Sequence, residues 1–154
     1  MKTKTDESQE KQWNEQFVTL ETAKLLKENG FDWPTYMAYD NFGIEGKIYD
    51  SFGYHNHNKH DDLISCPSQS VAMKWLREVK HIFIGVEPRL GQYDFYWVSG
   101  TVYTVKQERS YYGLREMEDK YSSHAICDAH TYENAVERAI KYSLDNIERL
   151  KIYL

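Results

Sequence analysis

The sequence predicts an α+β protein, in which an antiparallel sheet of four to five strands is covered by three helices. Three segments carry apolar residues at the three- and four-residue spacing of a helix, and short segments with alternating apolar residues lie between them. The connections between neighbouring strands are too short for crossover helices, which favours antiparallel pairing. The expected order of elements is α-β-β-α-β-β-(β)-α, and the length of 154 residues fits one domain.

The first helix is expected to begin after Thr19, whose hydroxyl can cap free backbone amides, and to end at Asn29 and Gly30. Apolar residues between these positions supply a buried face. Residues 1–16 are polar and alternate in charge, so we expect them to form a disordered polar tail. The single α+β domain is then expected to cover 17–154.

A tyrosine-rich hairpin is predicted next. Residues 35–40 and 45–50 would form its two short strands, and Gly43 between them can adopt the positive φ that a tight turn requires. Residues 51–65 are mainly polar and predict a loop.

The second helix is predicted over 68–80. Pro67 stands at its entrance, Ser68 can cap it, and apolar residues repeat at helical spacing behind them. This helix is expected to lie on the sheet. A strand at 81–87 follows, in which alternate residues are apolar.

The longest predicted strand covers 93–105. Apolar side chains occupy both of its faces, which fits either a central strand covered on both sides or a strand bent at Ser99 and Gly100, and the bend is favoured. Residues 106–120 mix basic and acidic side chains and predict an exposed excursion, after which 122–127 can form a last strand.

The final helix is expected to be capped by Thr131. Its apolar residues recur on one stripe, which would face the sheet. The stripe consists of Ala135, Val136, Ala139, Ile140, Leu144 and Ile147.

The charge balance argues against a nucleic-acid-binding protein. The chain has 19 basic and 24 acidic residues and a net charge of −5, whereas proteins that bind nucleic acid are usually basic. Lys74, Arg77 and His81 align along one ridge of the second helix, but they are interpreted as its solvent-exposed face. Nucleic acid is therefore not the expected partner.

The ends of the chain and its cysteines indicate a cellular setting. The first residues carry no apolar stretch of the signal-peptide kind, and no apolar run approaches the ~20 residues of a membrane span. We expect a cytoplasmic protein that does not bind membranes. Cys66 and Cys127 are too few for a disulfide framework and are expected to be reduced, structural thiols.

Motifs for nucleophilic or phosphate chemistry are missing, because the chain has no Gly-x-Ser-x-Gly elbow and no Gly-x-x-x-x-Gly-Lys loop. We predict no catalytic residue, no cofactor and no metal. The candidates for a metal site are His55, His57 and His60, at a spacing similar to that of metallo-β-lactamase-type hydrolases. Lys59 stands where that pattern needs a ligating Asp, so a solvated loop is the preferred interpretation. A pH-sensitive partner surface is the remaining alternative.

The excess of tyrosine is the most informative anomaly, since the chain has 13 Tyr and 4 Trp beside 6 Phe. Tyrosine tolerates partial exposure and can stack on planar ligands or anchor a protein partner. The alternative is that tyrosine replaces Leu and Phe in a thin core. The candidates for a binding surface are Tyr36, Tyr39, Tyr49, Tyr54, Tyr96, Trp97 and Tyr103.

Three segments, 19–34, 66–79 and 131–135, resemble a widespread family of small uncharacterised proteins encoded by phages and mobile elements of gut bacteria. The resemblance spans 17–150. It implies a cytoplasmic accessory protein of a mobile genome, a setting in which small binders of host factors or signalling nucleotides are plausible. It supplies no catalytic residues.

The sequence thus predicts a non-enzymatic binding module of a phage or mobile element, with a role such as counter-defence. Its partner would be a host or phage protein, or a small nucleotide-like ligand, held by the aromatic sheet surface or by the excursion at 106–120. One alternative is a metal-dependent hydrolase that uses His55, His57 and His60. A second alternative is a structural component of an assembly. The sequence leaves the oligomeric state open.

Overall fold

The computed structural model of the chain describes residues 16–40, 48–49, 53–90, 96–106 and 120–153. In these residues the fold is α+β, as predicted. The expected tail up to residue 15, the turn of the tyrosine-rich hairpin and most of the predicted excursion lie outside the described residues.

The helices are α1 (Leu20–Glu28), α2 (Gln69–Val79), α3 (Tyr132–Asp145) and the short α4 (Ile147–Leu150). The strands are β1 (Ala38–Asp40), β2 (Ile48–Tyr49), β3 (Leu63–Ser65), β4 (Ile82–Leu90), β5 (Tyr96–Lys106) and β6 (Lys120–Ala129). Two short 3-10 helices cover His57–Lys59 and Lys151–Tyr153. The three predicted helices are therefore present at the expected places.

The helix caps are those that the sequence predicts. The Thr19 hydroxyl accepts a hydrogen bond from the amide of Thr22, and the Ser68 hydroxyl accepts one from Val71. Thr131 caps α3 in the same way. Helix α1 ends at Asn29, and Gly30 follows with φ 85°, a conformation that glycine adopts without strain.

The described strands form two sheets, and this corrects the expectation of one sheet. The first sheet has the order β2-β1-β3 and the second has the order β4-β5-β6, all antiparallel. Strand β3 lies inside the segment that predicted a polar loop, and it pairs with β1 through Tyr39 and Ile64. It occupies the edge of β1 along which a single sheet would have continued. Because β3 is only three residues long and has polar neighbours, its apolar pattern is too short to predict a strand.

Strand β5 is the centre of the second sheet and is not interrupted at Ser99 and Gly100, which corrects the expected bend. Its pairing with β4 and β6 runs through both residues, and the register shift lies further on, between Val102 and Tyr103. Gly100 has another role. A Cβ at this position would lie 3.1 Å from the carbonyl oxygen of Ala135, so glycine lets the backbone of α3 approach the sheet closely.

One continuous hydrophobic core joins the helices and both sheets. Trp75 of α2 is its largest buried side chain, and the edge of its ring meets the ring of Phe31 at a centroid distance of 5.5 Å. The predicted apolar stripe is buried, and it runs along α3 to Ile147, the first residue of α4. The core therefore fixes the segment around Phe31, which follows α1, against α2.

Glu137 of α3 ties the beginnings of α1 and α2 together. Its Oε1 accepts hydrogen bonds from the amide and the hydroxyl of Thr19, at 2.9 and 2.8 Å, and its Oε2 accepts one from the Gln69 side chain at 3.0 Å. A carboxylate is favourable here because the amino-terminal end of a helix carries partial positive charge. This half-buried residue sets the relative positions of three helices.

Cys66 and Cys127 are both free thiols. Burial raises the pKa of the Cys66 thiol to about 12, and burial also raises the pKa of Cys127. Both groups are thus protonated near neutral pH. No helix among the described residues has the length and apolar character needed to cross a membrane.

Candidate binding groove

A groove of about 600 Å³ lies where the segment after α1 meets the start of α2. Its walls are mostly apolar and aromatic, and it is open to solvent on one side. Known small-molecule sites have volumes of ~300–1,000 Å³ and a similar lining, with few polar groups. The lining residues are Phe17, Trp33, Pro34, Thr35, Tyr36, Met37, Tyr54, Cys66, Pro67, Ser68, Val71 and Lys74.

The aromatic rim of the groove is built by a single antiparallel bridge. The amide of Thr35 donates to the carbonyl of His55 at 3.0 Å, and the amide of His55 donates back at 3.3 Å. Tyr36 follows Thr35 and Tyr54 precedes His55, so in this antiparallel arrangement the two tyrosines lie opposite each other on the same side of the bridge. Their rings therefore meet, with centroids 4.5 Å apart and a tilt of 33°. Although they touch, the two side chains are 61% and 59% exposed.

The floor of the groove is held by backbone hydrogen bonds between three segments. The amide of Val18 donates to the carbonyl of Pro67 at 3.1 Å, and the amide of Cys66 donates to the carbonyl of Met37 at 2.9 Å. Phe17 forms an isolated bridge with Ser68. These bonds join the residues before α1, the residues before β1 and the entrance of α2, so the floor is part of the folded core.

Tyr39 belongs to the core under this floor, which corrects its place among the predicted binding residues. The side chain is buried, and its hydroxyl donates to the carbonyl of Val18 at 2.8 Å. Burial, together with the neighbouring Cys66 thiol, raises the pKa of this phenol well above its usual range. A ligand in the groove cannot reach this ring.

Lys74 of α2 is the charged residue among the described side chains that line the groove. Its Nζ lies 5.8 Å from the centroid of the Trp33 ring, within the range of a cation–π contact. The same atom lies 3.9 Å from Oε1 of Glu78, and Nη2 of Arg77 lies 3.9 Å from that oxygen as well. Two half-exposed cations thus share one carboxylate, so these three side chains together carry one net positive charge.

His55, His57 and His60 form a cluster of rings beside the Thr35–His55 bridge. The rings of His55 and His57 are 3.9 Å apart, and those of His55 and His60 are 5.9 Å apart. His57 is fully buried, and its Nε2 lies 2.9 Å from the carbonyl oxygen of Thr35. Because a carbonyl can only accept, Nε2 carries a proton and donates it. Burial lowers the pKa of His57, against the opposing effect of its backbone hydrogen bonds to Thr35 and Gly53.

This arrangement does not bring the three histidines together around an ion. The described residues contain no group of three His, Cys, Asp or Glu side chains that could hold a metal. Nε2 of His57 is also committed to the Thr35 carbonyl. The cluster is therefore described best as the support of the bridge that carries Tyr54.

The segment around His57 is tied to the fold, unlike the solvated loop that the sequence predicts. Asn58 donates to the carbonyl of Phe31 at 2.8 Å and accepts from the amide of Ser65 at 2.8 Å. Nζ of Lys27, near the end of α1, donates to the carbonyls of His60 and Leu63 at 2.9 and 2.8 Å. These side chains replace the backbone pairing that a regular strand would have provided.

The structure separates the predicted binding residues into groups. Tyr36 and Tyr54 lie together at the groove, as described above. Tyr103 is on β5 in the second sheet, where its ring stacks on Phe83 at 5.8 Å and 14°, and it does not line the groove. The backbone of Tyr49 is in β2 and that of Tyr96 and Trp97 is in β5, whereas their side chains lie outside the described residues.

Sequence reasoning missed Trp33, Met37 and Phe17 as groove residues. The sequence contains one signal: Trp33 stands before Pro34, and the residue before a proline is restricted to extended backbone. A large aromatic ring in such an extended segment does not belong to the buried face of a helix, and it is therefore a candidate for a surface groove. The sequence predicts Lys74 only as part of the solvent-exposed face of α2.

No protein-family model, no curated protein and no solved structure matches this chain. The fold and the groove define it as an α+β protein with an aromatic surface site. The chemistry of that site is the basis for a functional proposal.

Proposed function

We propose that this protein is a non-enzymatic binding module whose aromatic groove holds a small nucleotide-like ligand. The setting proposed for it is the cytoplasm of a cell that carries a phage or mobile element, as the resemblance of its sequence segments implies. The alternative occupant is a host or phage protein that inserts an aromatic side chain into the groove.

The observation that carries the proposal is the exposed pair Tyr36 and Tyr54. The Thr35–His55 bridge places the two residues opposite each other so that their rings meet, and a ligand can stack on this paired aromatic surface. Stacking of a base on an aromatic side chain contributes ~1–3 kcal/mol. Aromatic rings left largely in water at the rim of an apolar groove are typical of a binding surface.

The charge at the groove favours an anionic ligand. Lys74 lies beside the Trp33 ring, and its carboxylate neighbour Glu78 is shared with Arg77. A ligand with a flat ring and a phosphate would place the ring on the tyrosine pair and the phosphate near Nζ of Lys74. Nucleotides combine these two groups.

The thiol that lines the groove is not suited to nucleophilic catalysis. Cys66 is the cysteine among the described lining residues, and burial raises the pKa of its thiol to about 12. Only the thiolate is a strong nucleophile, so the thiol stays unreactive near neutral pH.

Isothermal titration calorimetry with AMP, GMP, CMP and UMP tests the proposal. We expect at least one of them to bind with a stoichiometry of one. The double variant Tyr36→Ala/Tyr54→Ala should lower the affinity by about tenfold or more, because the stacking surface is removed. Tyr132→Ala is the matched control, since Tyr132 is 51% exposed on α3 and does not line the groove.

The outcomes separate the two occupants. If none of the four nucleotides binds to the folded wild-type protein, the nucleotide proposal is wrong. A protein that is retained by wild type and Tyr132→Ala but lost with Tyr36→Ala/Tyr54→Ala would then favour the protein partner.

A further inference from the structure

A second depression lies on the other side of Lys74 from the aromatic groove. Its volume is about 310 Å³, and Lys74 lines both cavities. The other lining residues of the second depression are Ser70, Met73, Arg77, Phe83 and Ile84. It is formed where the exposed side of α2 meets the beginning of β4.

Helix geometry places the cations between the apolar parts of this surface. Lys74 and Arg77 are three residues apart on α2, so their side chains are neighbours on one face. One side-chain nitrogen of each residue lies 3.9 Å from Oε1 of Glu78. The two cations and the one carboxylate together carry one net positive charge. The surface thus runs from an aromatic groove, over a positive ridge, into a second apolar depression.

We infer that the ligand of the groove is a dinucleotide, with one base on Tyr36 and Tyr54, the linking phosphate over Lys74 and Arg77, and the second base in the second depression. This inference rests on the proposed function and names its ligand class. It assigns the second depression, lined by Met73 and Phe83, as a second base subsite.

The shape of the surface favours two bases over one. A mononucleotide would end at Lys74 and leave the half-buried side chains of Met73 and Phe83 without a ligand contact. A second base would cover them and gain a further stacking surface. A long nucleic acid is disfavoured, because its many phosphates would meet a chain with a net charge of −5.

Calorimetry with AMP and with the 3′-5′ dinucleotide ApA tests the inference. We expect ApA to bind about tenfold tighter than AMP or better, because it fills both cavities. Arg77→Glu should weaken ApA more than AMP and so remove most of that advantage, since Arg77 lines only the second depression. Lys74→Glu should weaken both ligands, because Lys74 lines both cavities.

Lys24→Glu is the charge-matched control. Lys24 is exposed on α1 and lines neither cavity, so this variant has the same net charge as Arg77→Glu and should bind both ligands as the wild type does. Substitution of these exposed side chains leaves the core intact, and circular dichroism checks that each variant is folded.

The results distinguish the inference from the proposal beneath it. Equal affinities for AMP and ApA, or an Arg77→Glu variant that keeps the full advantage of ApA, overturn the dinucleotide inference and leave the nucleotide-binding proposal standing. Absence of ApA binding also overturns the dinucleotide inference, and the nucleotide proposal fails with it only if AMP, GMP, CMP and UMP all fail to bind.

Discussion

The rings of Tyr36 and Tyr54 meet at the mouth of the groove, with centroids 4.5 Å apart and a tilt of 33°. The backbone brings them together, because the antiparallel Thr35–His55 bridge places the two residues opposite each other. The rings therefore meet although both side chains are largely exposed. This relationship is the basis of the functional proposal, and the residues that support it can be tested one at a time.

The support of the bridge by His57 predicts a pH dependence of stability. Burial lowers the pKa of His57 below its ordinary value of 6.5, so the unfolded chain binds this proton first as the pH falls. The contribution of His57 is therefore constant well above pH 6.5, and stability is lost progressively below it, by at most about 1.4 kcal/mol per pH unit. Urea unfolding between pH 8 and pH 5 measures this loss.

The variant His57→Asn should be less stable than wild type at pH 8, because a buried side chain and its hydrogen bond to Thr35 are changed. It should also lose stability less steeply on acidification. His130→Asn, at an exposed histidine, is the control and should keep the wild-type slope. An unchanged slope in His57→Asn would show that His57 does not titrate as the structure implies.

The close approach of α3 to β5 predicts a large cost for a methyl group at Gly100. In Gly100→Ala the new Cβ would lie 3.1 Å from the carbonyl oxygen of Ala135 and 3.3 Å from that of Cys127, and both are backbone atoms. We expect a loss of about 1–3 kcal/mol in the free energy of unfolding, from overpacking. Gly85→Ala is the control, because its Cβ would meet the Tyr103 ring at an ordinary contact distance of 3.4 Å. Equal stabilities of the two variants would contradict the packing described for Gly100.

The hydrogen bonds that the Glu137 carboxylate accepts from Thr19 and Gln69 predict that its charge stabilises the fold. Glu137→Gln keeps the size of the side chain but weakens its bonds to Thr19 and Gln69, so we expect a loss of about 1.5–3 kcal/mol. Glu133→Gln, on the exposed first turn of α3, should cost less than about 1 kcal/mol. Thermal and urea unfolding measure both. Similar losses in the two variants would mean that Glu137 contributes only general helix electrostatics.

Because Tyr39 lies in the core, we expect its substitution to change the stability of the protein and not its affinity for the ligand. Tyr39→Phe loses the hydrogen bond to the Val18 carbonyl and should lower the free energy of unfolding by about 0.5–1.5 kcal/mol, with no change in nucleotide affinity. Tyr54→Ala should lower the nucleotide affinity and leave the free energy of unfolding nearly unchanged, because the Tyr54 side chain is exposed at the groove. A ligand affinity that depends on the hydroxyl of Tyr39 would place the ligand elsewhere than in the groove.

The parts of the fold that the sequence predicts are those with local signals. Caps such as Thr19 and Ser68 act on amides two or three residues away, and helical periodicity repeats within one element. The division into two sheets has no such signal, because β3 is chosen by its long-range pairing with β1. The role of Gly100 likewise depends on a helix that follows about thirty residues later.

The candidate site was predicted only in part for the same reason. The tyrosine excess pointed to aromatic binding, but composition cannot tell that Tyr39 turns into the core while Tyr36 and Tyr54 face solvent. That difference is set by the bridge of Thr35 with His55, which joins residues twenty positions apart. The contribution of Trp33 and Lys74 to one groove follows from tertiary packing alone.

A nuclear magnetic resonance titration locates the ligand on the protein directly, with isotope-labelled protein and whichever of AMP, GMP, CMP and UMP binds most tightly. We predict that the largest chemical-shift changes occur at the Trp33 indole, at Tyr36 and Tyr54 and at Lys74, and that they are lost in Tyr36→Ala/Tyr54→Ala. Shift changes confined to the second sheet around Tyr103, or no changes at saturating concentrations of all four mononucleotides, would contradict nucleotide binding in the groove.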